Sequence, residues 1–295
     1  MIKVLKLEKG LKYVDTRLNF DFTQSVGRFS YKIGVPEKLI VEITRDIEGY
    51  YKEWKRPKKH SDETIKIKNG VAQYRIINPS RSDLKWIQKR ICDRILSKFI
   101  YPINIQGGLK KRDNIKNAKL HLGKKYHLCT DLSDFFPTVT YKAVYNRLCE
   151  IGFSPDVSRI ITLLSTYDYK VPQGVSPSTY LANLVFYPTD LILIDSCESH
   201  DLFYSRYVDD IAISGNYDFK SKTEEILEIV HNSPYKINHS KTFYREGKAE
   251  ITGIIVSNNV LNPKEIIDLK INDSDLKPAT RKALIQYKKR VKNKG

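Results

Sequence analysis

The sequence predicts an α+β fold built on a β-sheet with helices packed on one face. Three observations carry this expectation. Strand-like and helical segments alternate between Tyr126 and Val256, an Asn69-Gly70 pair separates two β-rich runs, and apolar residues recur at helical spacing on either side of that pair.

From Pro36 to Trp54, residues Leu39, Ile43, Ile47, Tyr50 and Trp54 share one face, which predicts an amphipathic helix followed by the basic loop RPKKHSDE. The runs TIKIK and VAQYRII flank Asn69-Gly70 and predict a hairpin over 64–77. A two-residue turn of this kind needs positive φ at both centres, and Asn-Gly accepts it. Leu84, Ile87, Ile91, Ile95 and Phe99 define a second amphipathic helix over Asp83–Ile100, and 101–125 reads as loop with a short helix. Tyr126–Asp131 reads as a strand and Tyr141–Ile151 as a helix ending at Gly152. Ser154-Pro155 is an N-cap followed by Pro at the first helical position, opening a helix to Ser165. Ser178–Cys197 reads as a helix kinked at Pro188. Two strands surround Val208-Asp209-Asp210 within Leu202–Gly215, Thr223–Val230 is a helix, and Glu250–Val256 is a single strand. The last element, Asp275–Lys294, is a basic helix whose cations face solvent or contact backbone phosphates.

Charge is the unusual part of the composition. Lys plus Arg number 51 against 34 Asp plus Glu, a formal +17. Such an excess favours a polyanionic partner, nucleic acid first, through counterion release. A solubility charge or an anionic membrane surface is the less specific alternative. The many Tyr and Phe offer stacking surfaces for bases as well as core. Cys92, Cys129, Cys149 and Cys197 form no CxxC pair, which argues against a structural zinc or a disulfide framework and for a reducing, cytoplasmic setting. The start MIKVLKLEKG does not read as a signal peptide. No apolar run approaches the roughly 18 residues of a membrane span, so no membrane partner is expected.

The segment FYSRYVDDIAISG places two adjacent acids between two hydrophobic strands. In a straight strand they would point to opposite faces, but a tight turn at Val208-Asp209-Asp210 can direct them together. Asp131 ends a second strand, HLCTD. Three carboxylates from neighbouring strand ends suit hard divalent cations, and two such ions can activate a 3′-hydroxyl and hold a leaving pyrophosphate. The competing reading of an Asp-Asp pair is a solvent-exposed turn.

YVDD between hydrophobic strands resembles the polymerase box of reverse transcriptases, and further blocks match in order. YRIINPSRSDLKWIQKRI (74–91) resembles the first conserved block of bacterial members, and DLSDFFPTV (131–139) the block with the first metal-binding acid. PQGVSPSTYLAN (172–183), INHSKTFYREG (237–247) and ITGIIVS (251–257) are similar to the blocks that follow, so the resemblance spans roughly residues 36–260. Asn117-Ala118-Lys119-Leu120-His121 matches the NAxxH signature of retron reverse transcriptases, and Ile251-Thr252-Gly253 is near their VTG signature with Ile for Val. Two departures stand out: NIQGGLKKRDN is a weak second block, and SPST replaces the usual PTSP.

The resemblance implies a right-hand polymerase: N-terminal helices and fingers (1–125), a palm with antiparallel sheet and packed helices (126–257), and a short, basic, helical thumb (258–295). It implies RNA-directed DNA polymerase activity, with Asp131, Asp209 and Asp210 as catalytic metal ligands aided by the Leu132 carbonyl. The cofactor implied is Mg2+, two ions, with Mn2+ as a substitute. Phe136 matches the aromatic steric gate, Gln173 the residue against the incoming nucleotide, and Arg75 and Lys241 phosphate contacts. Core packing is the alternative for Phe136, and a surface cation for Arg75 or Lys241. Asn117, His121, Thr252 and Gly253 are the RNA-binding candidates, the alternative for NAKLH being a basic helix with a capping or core His.

The partners implied are a cognate structured non-coding RNA, its DNA product joined through a guanosine 2′-OH, dNTPs, and an effector protein of an anti-phage defence system. Other reverse transcriptase classes (group II intron-like, diversity-generating, abortive-infection) and a non-catalytic RNA-binding scaffold are the competing readings.

Overall fold

The computed structural model describes residues 24–60 and 64–293. The N-terminal run MIKVLKLEKG, the end of the RPKKHSDE loop and Lys294 lie outside the described residues. Two helices open the described chain, α1 (Val26–Ile33) and α2 (Glu37–Arg45). The Ser25 hydroxyl caps α1 by accepting from the Arg28 N–H, and Gly34 closes it at φ 65°. The helix expected over Pro36–Trp54 stops at Arg45. A 3₁₀ turn follows at Glu48–Tyr50, and Trp54 begins a strand, β1 (Trp54–Pro57).

Strand β1 explains a second departure. Asn69-Gly70 does form a tight turn, with φ of 50° and 75°, but it joins only β2 (Ile67–Lys68) to β3 (Val71–Ala72). The next strand, β4 (Tyr74–Ile77), pairs antiparallel with β1, Arg56 opposite Arg75. Periodicity cannot reveal a partner that lies some twenty residues upstream in the chain.

The expected helix over Asp83–Ile100 ends early, as α3 (Ser82–Arg94) with a 3₁₀ turn at Leu96–Lys98. Its apolar face holds as read, with Leu84, Ile87, Ile91 and Ile95 fully buried. Short helix α4 (Asn114–Lys119) then leads into β5 (Tyr126–Asp131), α5 (Phe135–Thr138), α6 (Tyr141–Glu150) and α7 (Pro155–Ser165). The Ser154 hydroxyl accepts from the Val157 N–H with Pro155 at the first position of α7, as the sequence predicts. Helix α8 (Ser178–Ser199) contains Pro188 and precedes the hairpin of β6 (Phe203–Tyr207) and β7 (Asp210–Gly215). Helix α9 (Thr223–His231) and strand β8 (Phe243–Glu246) follow.

Strands β6, β7, β5 and β8, in that order, form one antiparallel sheet. Alternate side chains therefore leave opposite faces. Leu128, Ile211 and Ile213 join the main core with α8 and α9. Cys129 and Ala212, a register pair, join a second core on the other face. That face is covered by α4 and by a small sheet, so the expectation of helices on one face only is corrected. The small sheet replaces the single strand expected over Glu250–Val256. It consists of β9 (Lys248–Ile251), β10 (Ile254–Ser257) and β11 (Val260–Pro263), all antiparallel. Thr252 and Gly253 turn between β9 and β10 with φ of 48° and 79°.

Helix α10 (Glu265–Asn272), which the sequence reading missed, precedes α11 (Pro278–Lys292), whose Val291 closes the second core. Among the described residues no helix is long and apolar enough to cross a membrane.

Candidate active site

Asp131 is the last residue of β5 and Asp210 the first of β7, and the two stand opposite each other in the register. They leave the sheet on the same face as Cys129 and Ala212, toward the small sheet. The Leu132 N–H donates to the Asp209 carbonyl at 2.9 Å, stitching the strand end to the turn. Tyr207 pairs with Asp210, so Val208 and Asp209 alone make the connection. Val208 has φ of 61°, whereas Asp209 is not in the positive region. This is the φ pattern of a type II′ turn, whose first centre is normally Gly. A β-branched residue there stores strain of order ~1–3 kcal/mol that its surroundings must hold.

The acids sit in a charged neighbourhood. Asp131 Oδ1 is 2.7 Å from Lys241 Nζ, and Asn238 donates its side-chain N–H to Oδ2 at 3.3 Å and its backbone N–H to the Asp131 carbonyl at 2.8 Å. Burial raises the Asp209 carboxyl above its ordinary range. Repulsion from Asp131 adds to this, while Lys241 and Arg75 oppose it. Asp210 rises further, to about 7, through burial and then repulsion from Asp209 and Asp131. Part of its surface remains open to the cleft, but enclosure by protein still disfavours its charge.

A cleft of about 410 Å³ is lined by Asp131, Asp210, Lys241, Glu250, Thr252 and Gly253 among others. Asp209 is outside that lining and lies in the field of Arg75. The structure thus brings Asp131, Asp210 and Lys241 together, with Asp209 on the adjoining side. Among the described residues no three His, Cys, Asp or Glu side chains are gathered into a ready metal cage. The donor chemistry nevertheless fits a hard divalent cation. All three acids offer oxygen, and a cation would offset both the burial and the carboxylate repulsion that raise Asp210.

Of the remaining nucleotide-site candidates, Arg75 acts on Asp209 through its charge. Arg75 is exposed on β4, and the Gln173 carbonyl accepts from the Asn78 N–H just beyond that strand at 2.9 Å. Gly174 has φ of 102°, and a Cβ there would meet Ile77 at 2.8 Å, so Gln173 is docked tightly against the β1–β4 pair. Phe135 is buried against Phe186 and Tyr235, whereas Phe136 is only half-buried. Leu132 is almost fully buried.

Asn117 and His121 lie elsewhere than the sequence reading put them. Their side chains are 1% and 0% exposed; Asn117 still touches the cleft wall, whereas His121 is enclosed and presents no surface to RNA. His121 shares hydrogen bonds with the hydroxyls of Ser214 and Ser205, both at 2.7 Å, and Ser205 donates to Asn117 at 2.8 Å. Burial pushes the His121 imidazole down to about 3, so it is neutral. The core alternative for the NAxxH histidine therefore applies. Asn114 donates to the Thr252 carbonyl at 3.1 Å and Thr252 donates back to the Asn114 carbonyl at 3.2 Å. Helix α4 and the Thr252–Gly253 turn, the two signature segments, thus hold each other, and Thr252 and Gly253 themselves face the cleft.

Sequence reasoning gave no role to Arg206 or Asp190, and saw Asn183 and Gly107 only as members of the PQGVSPSTYLAN and NIQGGLKKRDN blocks; these four residues surround the back of the turn. Asp190 carried a faint signal as an acid inside the apolar run of α8. Nothing in the sequence marks Arg206 as buried.

The sheet, its acid-bearing turn and the helices behind it define a right-hand polymerase, and the reverse transcriptase (RNA-dependent DNA polymerase) family model matches residues 57–256. The chain belongs to the reverse transcriptase family. It is similar to the retron Se72 reverse transcriptase of Salmonella heidelberg, 35% identical over 83% of this chain and 65% of the relative. It is also similar to the retron Ec86 reverse transcriptase of Escherichia coli, 29% identical over 66% of this chain and 62% of the relative. The chain thus spans somewhat under two thirds of the length of these relatives. Among solved structures, a Candida albicans telomerase in complex with a telomeric RNA fragment aligns with 83% of this chain and 54% of its own, at 13% identity and a TM-score of 0.45.

Proposed function

We propose that the protein is an RNA-directed DNA polymerase of a retron. On this reading it copies part of a cognate structured non-coding RNA into single-stranded DNA linked to that RNA, starting from a guanosine 2′-OH. The observation that carries the polymerase reading is the placement of Asp131 opposite Asp210 beside the strained Val208–Asp209 turn. The retron reading is supported by the similarity to retron enzymes and by the NAxxH and ITG segments. Residues 1–125 then serve as N-terminal helices and fingers, 126–257 as palm, and 258–295 as thumb.

In this assignment Asp131, Asp209 and Asp210 hold two Mg2+ ions, or Mn2+ in their place, with the Leu132 carbonyl as a further oxygen. The metal supplies Lewis-acid stabilisation of charge on the attacking and leaving oxygens. Lys241, paired with Asp131 Oδ1 at 2.7 Å, would meet a phosphate, and Arg75 would meet another from the β1–β4 side. Gln173 lies against the incoming dNTP, and the half-exposed ring of Phe136 excludes a ribose 2′-OH. Thr252 and Gly253 contact the RNA at the far wall of the cleft. The effector protein of a defence system and a cytoplasmic setting complete the proposal.

Nucleic acid recovered with the protein from cells expressing it with its neighbouring non-coding RNA tests this directly. The wild type is expected to carry DNA covalently joined to RNA by a 2′–5′ branch, and Asp209→Ala/Asp210→Ala to carry RNA alone. Copurified DNA without a branch would contradict the retron reading.

A further inference from the structure

The turn bearing Asp209 and Asp210 is held from beneath by a buried cation that takes no part in the chemistry described so far. Arg206 has no exposed surface, and neither has Asp190. Arg206 Nε donates to Asp190 Oδ1 at 2.8 Å and Nη2 to Oδ2 at 2.6 Å, a bidentate pair. Its Nη1 donates to Asn183 Oδ1 at 2.9 Å and to the Val208 carbonyl at 2.7 Å. Asp190 also accepts from the Tyr204 hydroxyl at 2.7 Å, and the guanidinium lies 4.7 Å from the centre of the Phe186 ring.

A buried ion pair is a poor source of stability, because desolvating both charges offsets most of their attraction. An apolar pair could fill the same space. It could not place a fixed donor on the Val208 carbonyl, and Val208 is the residue held at φ of 61° where Gly is normally found. A second element presses on the same turn. A Cβ on Gly107 would lie 2.1 Å from the Val208 nitrogen, so only Gly lets this segment approach. The Gly107 carbonyl accepts from Asn183 Nδ2 at 2.8 Å, which joins it to the residue that Arg206 also bonds. The strap is sewn to β6 as well, since the Gln106 N–H donates to the Arg206 carbonyl and the Arg206 N–H to the Asn104 carbonyl, both at 2.8 Å.

We propose that Arg206, locked by Asp190 and Asn183, is a positioning residue that holds the strained Val208 turn and so sets where the Asp209 and Asp210 carboxylates stand to receive a divalent cation. The proposal rests on reading the site as a polymerase centre. Its chemistry requires a planar, multi-donor cation, so Lys is not an equivalent: an ammonium keeps the charge but cannot span Asp190, Asn183 and the Val208 carbonyl together.

The test uses the full chain as wild type, Arg206→Lys, Arg206→Lys/Val208→Gly and Gly107→Ala. Three quantities are read: the Mn2+ dissociation constant of nucleotide-free protein by electron paramagnetic resonance, kcat and KM for dNTP on a primed RNA template, and Tm. Arg206→Lys is expected to weaken Mn2+ binding about tenfold and to lower kcat by roughly 100-fold, with KM for dNTP within about twofold. Adding Val208→Gly, which accepts positive φ without a Cβ, is expected to recover Mn2+ affinity to within about threefold of wild type.

A purely structural Arg206 would lower Tm while folded protein kept its Mn2+ affinity, and that result overturns the proposal. If Arg206→Lys does not fold, Gly107→Ala, which leaves the ion pair intact, decides: weakened Mn2+ binding supports the proposal and unchanged binding overturns it. A wild type that binds no Mn2+ and extends no primer overturns the polymerase reading and this proposal together. Normal wild-type extension with unaltered Mn2+ affinity in Arg206→Lys overturns this proposal alone.

Discussion

Asp210 shows how one residue couples the fold to its chemistry. Its carboxyl is raised to about 7 by burial and by the charges of Asp209 and Asp131, against an ordinary value of 3.8. A group whose folded pKa lies above its unfolded one contributes stability below the unfolded value, and that contribution is lost as pH rises through the folded one. The metal-free fold is therefore expected to lose this contribution between pH 3.8 and about 7. A bound divalent cation reverses the trend, because it favours the ionised carboxylate. Thermal denaturation with and without Mg2+ checks this. The Mg2+-induced rise in Tm should be larger at about pH 8 than at about pH 6, and Asp210→Asn should remove the difference. An equal rise at both pH values in the wild type would place the cation away from Asp210.

At the scale of elements, α4 and the β9–β10 turn act as one brace against the four-stranded sheet, with His121 buried between Ser205 and Ser214. The imidazole is held at about 3, below its ordinary 6.5, so its stabilising contribution is complete above 6.5 and is lost as pH falls toward 3. His121→Leu leaves buried hydroxyls short of a partner and should cost about 1–3 kcal/mol in urea denaturation at neutral pH. It should also flatten the loss of stability between pH 6.5 and 3, and leave the RNA affinity of folded protein unchanged. Weakened RNA binding without a change in stability would put His121 at the RNA surface after all.

This element also marks what the sequence could and could not convey. NAKLH was visible as a motif, but the burial of its His depends on Ser205 and Ser214, which lie more than eighty residues later in the chain. Asn69-Gly70 announced its turn because both residues accept positive φ. Ile251-Thr252-Gly253 did not, since Thr at φ of 48° is unusual and the flanking residues read as one continuous strand. Strand β1 was hidden across the end of a helical apolar pattern and the start of a basic loop, because its pairing with β4 is long-range.

At the scale of the whole molecule, the formal charge of +17 and the cleft at the acid-bearing strand ends suit the proposed reading, in which a polyanion is attracted broadly and acted on at one point. The acids were legible because the blocks around them resemble those of reverse transcriptases in order; taken alone, an Asp-Asp pair between strands reads equally as an exposed turn. Their support was not legible. A buried guanidinium such as that of Arg206 looks like any surface cation until α8, β6 and the strap around Gly107 have closed on it. On the proposed reading these acids direct the copying of RNA into DNA. Its most direct test is extension of a primed RNA template by the purified chain with dNTPs and Mg2+. Extension is expected to stop when Mg2+ is chelated and to be absent in Asp209→Ala/Asp210→Ala, with Tm and RNA binding retained. Extension by that double variant at the wild-type rate would contradict it.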